Sequence, residues 1–178
     1  EYLLALDYRE GVQTAFQREL EQFSQEPQYR IGIWRVLARA ADNDEHRNAW
    51  IEKIRQVFLD PAATDRLHAV ETLAKLGYKV CDDDVEAFEE AARPDRTAMT
   101  AFARWVLVNS DRRDAETRLA KSLASPDVKV RGYAAYALRH LPKVSPQVAQ
   151  QLAAAVEREP TGSLTRVFLV GAAAVHDS

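Results

Sequence analysis

The chain has 178 residues, 47% hydrophobic and 29% charged, with a net charge of −3, six glycines and seven prolines. That length allows one domain with a sizeable buried core, while so few glycines and prolines argue against a strand-and-turn architecture. The acidic balance argues against a general nucleic-acid binder, and the lone Cys81 rules out an intramolecular disulfide or a zinc site built on paired cysteines.

The opening "EYLLAL" reads as the tail of an earlier helix, with no initiator Met and no basic-then-apolar leader. A segment of a longer protein is therefore expected. "DYREGVQTAFQRELEQFS" follows with a capping box, Asp7 and Glu10, and sets Val12, Phe16, Leu20 and Phe23 on one helical face. "PQYRIGIWRVLARAA" is its partner. "DNDEHRNAWIEKIRQVFL" opens on Asp42 and Glu45 and turns Trp50, Ile54, Val57 and Phe58 inward, and "PAATDRLHAVETLAKLG" pairs with it. "DDDVEAFEEAA" starts on Asp83 and Glu86 and precedes "PDRTAMTAFARWVLVNS". "DRRDAETRLAKSLA" precedes "PDVKVRGYAAYALRHL", and "SPQVAQQLAAAVERE" precedes "PTGSLTRVFLVGAAAV". The densest apolar stretch, "VFLVGAAAV", is too short to span a bilayer.

The chain repeats itself. Prolines 27, 61, 94, 126 and 160 stand 32 to 34 residues apart, each opening the second helix of a pair. Proline suits the first helical position because its missing N–H would be unpaired there, and Asp60 and Ser125 precede two of them as N-caps. Connections of a few residues make neighbouring helices antiparallel. Five hairpins in one domain over 1–178 are expected, approximately 7–41, 42–77, 82–110, 111–142 and 145–178.

"SPDVKVRGYAAYALRHL" resembles the second helix of HEAT-like repeats, the short kind with the pattern D-x-x-V-R-x-x-A-A-x-A-L. Asp127, Val130, Arg131, Ala134, Ala135, Ala137 and Leu138 carry the match, and Arg66, Ala69, Val70, Leu73, Leu76 and Gly77 make a looser copy. The other pairs fit in length, proline position and apolar spacing. The resemblance implies an all-α fold, a right-handed α-solenoid, acting mostly as a binding scaffold. It also implies a structural arginine ladder, with Arg131, Arg66 and Arg166 tied to a turn acid or carbonyl of the neighbouring repeat.

Charge is segregated along this pattern. The first helices of the pairs sum to −11 and the second helices to +7. In HEAT-like solenoids the second helices line the concave face, which would then be basic on an acidic protein and would concentrate field toward an opposite partner. Arg35, Arg39, His68, Lys75, Arg104, Lys129, Tyr136, Arg139, His140 and Arg166 would form that row, Arg and Tyr being common interface anchors.

Motifs for catalysis are sparse. His46, His68, His140 and His176 show no ligand spacing, no phosphate-loop or nucleophile-elbow pattern occurs, and Asp82-Asp83-Asp84 reads as helix capping. No cofactor and no metal are expected. The expected function is a non-catalytic protein-binding or scaffold module taking an acidic partner. An alternative is an accessory domain packed on a catalytic neighbour through the apolar last helix. A third reading, a HEAT-like DNA glycosylase or a bilin-lyase-type enzyme, would need a pocket of convergent reactive residues.

Overall fold

The computed structural model describes residues 8–93, 97–112 and 114–176, the side chains of Gln28 and Thr97 excepted. Asp7, the "EYLLAL" stretch and Pro94 lie outside the described residues. Among the described residues there are ten α-helices and two 3₁₀ turns, and no strand. In chain order the helices are α1 (Arg9–Phe23), α2 (Pro27–Ala40), α3 (Asp44–Leu59), α4 (Arg66–Lys75), α5 (Val85–Ala91), α6 (Thr97–Asn109), α7 (Ala115–Lys121), α8 (Val128–Arg139), α9 (Pro146–Arg158) and α10 (Leu164–His176). The chain gathers into two compact units, 1–78 and 79–178.

In the first unit α2 packs on α1, α3 and α4, and α3 packs on α4. Ile31, Ile33 and Leu37 of α2 meet this core with Ile54 and Phe58 of α3 and Val70 and Leu73 of α4, all essentially inaccessible. In the second unit α8 lies between α6 and α10, while α5 and α7 pack on α6 and α9 packs on α10. α8 and α10 run parallel. Thr165 Oγ1 donates to the Val128 carbonyl near their first turns, and the His176 ring lies 2.9 Å from the Leu138 carbonyl near their last. Ala134, Ala135 and Ala137 are fully buried there, and an added Cβ at Gly132 would stand 3.2 Å from Thr165 Oγ1, so small residues set this close approach.

The helix starts differ from those read from sequence. Pro27 does open α2, but Pro61, Pro126 and Pro160 sit in the turns before helices that begin at Arg66, Val128 and Leu164. A proline that fixes φ serves a turn as well as a first helical turn. Asp127, rather than Ser125, caps α8, its carboxylate accepting from the Lys129 N–H at 2.8 Å. Asn43, rather than Asp42, caps α3 by accepting from His46 N–H at 2.8 Å. Residues 82–84 form a 3₁₀ turn, and α5 starts only at Val85.

Candidate functional site

Arginines expected as one row divide into two populations. α6 is buried continuously from Ala101 to Leu107, so Arg104 within it is only 7% exposed rather than standing on an exposed helix face. Its Nε donates to the Ala92 carbonyl at 3.0 Å, and its Nη1 donates to the Arg118 carbonyl at 2.9 Å and to Ser122 Oγ at 2.8 Å. These acceptors lie at the ends of α5 and α7, where helix carbonyls lack intrahelical partners. Burial, and then the like charge of Arg118, hold the Arg104 guanidinium below its ordinary value. Arg166 likewise donates to the carbonyls of Val156 and, at 2.7 Å, Glu159 at the end of α9. Arg39 reaches the Lys75 carbonyl at 3.4 Å, and Lys75 pairs with Glu71 at 2.6 Å. Four of the ten expected contact residues therefore serve the fold.

The ladder has a different composition from the expected one. Arg131 is bidentate to Glu159, at 2.8 and 3.2 Å, and also donates to the Ser125 and Pro126 carbonyls. Arg66 instead donates to the Phe58 carbonyl of its own hairpin at 2.8 Å, its guanidinium 5.5 Å from the Phe58 ring. Arg30, not singled out from sequence, binds the buried Asp65 at 3.1 and 3.4 Å. Arg118 and Glu89 form a further bidentate pair, at 2.7 and 3.0 Å. Arg131 holds the Glu159 carboxyl below the usual glutamate range, and Arg118 does the same for Glu89. Of these three pairs, Arg131–Glu159 joins a second helix to the end of a first, Arg30–Asp65 joins two second-helix segments, and Arg118–Glu89 joins two first helices.

What remains gathers on α8. Lys129, Tyr133, Tyr136 and His140 recur at i, i+4, i+7 and i+11, one helical stripe. Lys129, Arg139 and His140 are exposed and form no ion pair among the described residues. The His140 Nδ1 lies 2.8 Å from the Tyr136 carbonyl, a contact that orients the ring. The His140 ring centroid is 4.6 Å from Tyr136 and 5.2 Å from Trp105. Phe168 of α10 meets Tyr136 edge-on at 5.9 Å, and Phe102 of α6 meets both Tyr133 and Tyr136. Arg139 lies against Gly171 of α10. An aromatic platform with cations along its rim results, held by three neighbouring helices of the second unit. Tyr133 was legible in sequence only through its spacing from Lys129 and Tyr136. Arg35 and His68 belong to the first unit and are half-buried.

Among the described residues no group of three or more His, Cys, Asp and Glu side chains could hold a metal. None of these helices is long and apolar enough to cross a membrane. Trp105 is 3% exposed and belongs to the core. Comparisons with protein-family models, with curated proteins and with solved structures find no match.

Proposed function

We propose that this chain is a non-catalytic binding module of the HEAT-like α-solenoid kind, and that it recognises an acidic protein segment through the outward stripe of α8. The observation that carries the reading is the company of Lys129, Arg139 and His140. Lys129 and Arg139 are exposed cations without carboxylate partners among the described residues, and the exposed His140 ring stands with them beside half-buried Tyr133 and Tyr136. Rigid aromatics supply contact area at low entropic cost, and rim cations steer and orient an anionic partner. Selection from a displayed peptide library tests it. Acid-rich peptides should be enriched, and Lys129→Glu with Arg139→Glu should abolish their capture without lowering the melting temperature. Enrichment of peptides with no acidic bias, or capture unchanged by the double reversal, sinks the reading.

A second reading has its own support. Leu164, Val167, Val170 and Val175 are 70%, 62%, 47% and 49% exposed, so α10 carries most of the large exposed hydrophobics of the described residues. Such a stripe suits the accessory role, in which α10 packs against a neighbouring body.

A further inference from the structure

A cleft of about 380 Å³ opens in the second unit between α6, α7 and the start of α8. Arg104, Arg118, Lys121, Thr100, Ser122 and Ser125 supply its polar lining, and no carboxylate belongs to that lining. Three cations meet at one concavity. Glu89 lies outside it, paired bidentately with Arg118 and acting on Arg104 as well, so three cations share one carboxylate and the cluster carries a surplus of two positive charges. Arg118 Nε is a buried donor without a hydrogen-bond partner, so the guanidinium beside the cleft is not fully satisfied. Arg104 is buried beside the like charge of Arg118, which the single carboxylate of Glu89 opposes.

We infer that this cleft binds a dianionic tetrahedral oxyanion of the phosphate type, free or as a phosphomonoester, with Arg104, Arg118 and Lys121 supplying charge and the hydroxyls of Ser122 and Ser125 supplying hydrogen bonds. Guanidinium forks suit planar or tetrahedral oxyanions, and a surplus of two positive charges suits a dianion. The hydroxyls can act as donors or acceptors, so they adapt to the orientation of the bound group. This site is separate from the α8 stripe and does not depend on the binding role proposed for it.

The test uses the whole chain with inorganic phosphate and, separately, O-phosphoserine, each added at constant ionic strength against sodium chloride. Thermal unfolding and amide NMR shifts are the readouts. Both Tm and the amide shifts of residues 118–125 should respond saturably to phosphate. Lys121→Glu, at an exposed position, should weaken the apparent affinity roughly tenfold or more. Ser122→Asp places a carboxylate beside Arg104 Nη1, so it should raise Tm in the absence of phosphate and abolish the phosphate response. A response to inorganic phosphate alone identifies a small free anion, and an equal or stronger response to O-phosphoserine identifies a monoester. Phosphate also stabilises proteins generally by exclusion from their surfaces. A Tm rise of the same size in wild type, Lys121→Glu and Ser122→Asp, or no amide shift at 118–125, overturns the inference.

Discussion

Removing Arg131 should be one of the costliest single changes on the surface of the second unit. Glu159, its partner, has a side chain only 3% exposed, against 20% for Arg131. In Arg131→Ala the carboxylate would keep only Ser163 Oγ, at 3.1 Å, as a side-chain partner. The Ser125 and Pro126 carbonyls would lose their donor as well. Breaking a buried pair from one side costs about 3–5 kcal/mol. Because Arg131 is partly exposed and water could reach part of the gap, the lower end, about 3 kcal/mol, is expected. For a chain of this size that corresponds to a Tm fall of roughly 6–12 °C. Urea unfolding of Arg131→Ala, Glu159→Gln and the double variant measures it, and the double should cost clearly less than the two singles together. The folded-state pKa of Glu159 is depressed by Arg131, so the pair's contribution is complete above the ordinary glutamate value of about 4.3 and is lost as pH falls through the depressed folded value. The gap between wild type and Arg131→Ala should therefore hold from about pH 7 to 5 and narrow below about pH 4. A cost under about 1 kcal/mol at neutral pH, or a gap independent of pH, would refute this assignment of the rung.

Other outcomes follow from local geometry. An added Cβ at Gly32 meets nothing within 4 Å in the middle of α2, so Gly32→Ala should stabilise by about 0.5–1 kcal/mol in thermal melts. Gly77, at φ +69°, should behave oppositely, Gly77→Ala costing about 1 kcal/mol or more because L side chains rarely adopt that conformation. If α10 docks through its outer stripe, sedimentation should detect concentration-dependent self-association that Val167→Asp with Val170→Asp removes, with Tm held within a few degrees. A strictly monomeric chain at high concentration would count against that second reading.

The helical content was legible because apolar spacing near 3.6 residues recurs in every segment, from Val12–Phe16 to Leu152–Ala155. Proline spacing located the turns but misplaced the helix starts, since Pro61, Pro126 and Pro160 close turns of their own before α4, α8 and α10 begin. Residue type alone could not sort the arginines. Arg104 and Arg139 look alike in sequence, yet one lies in a largely buried helix and the other at an exposed helix end. That difference comes from which helices pack around α6, a tertiary fact. Glu89, Asp65 and Glu159 were hidden for the same reason, each meeting an arginine about 28–35 residues distant. On α8 the stripe of Lys129, Tyr136 and His140 was legible from periodicity, whereas the platform of Trp105, Tyr133 and Phe168 behind it required the packing of α6 and α10.

The most direct test of the functional account is an amide NMR titration of the whole chain with an acidic peptide recovered from the displayed library. The account predicts salt-sensitive shifts concentrated on residues 129–140 and the facing turns of α6 and α10, lost in the Lys129→Glu/Arg139→Glu variant. Shifts confined to the first unit, or an unperturbed α8 at saturating peptide, would contradict it.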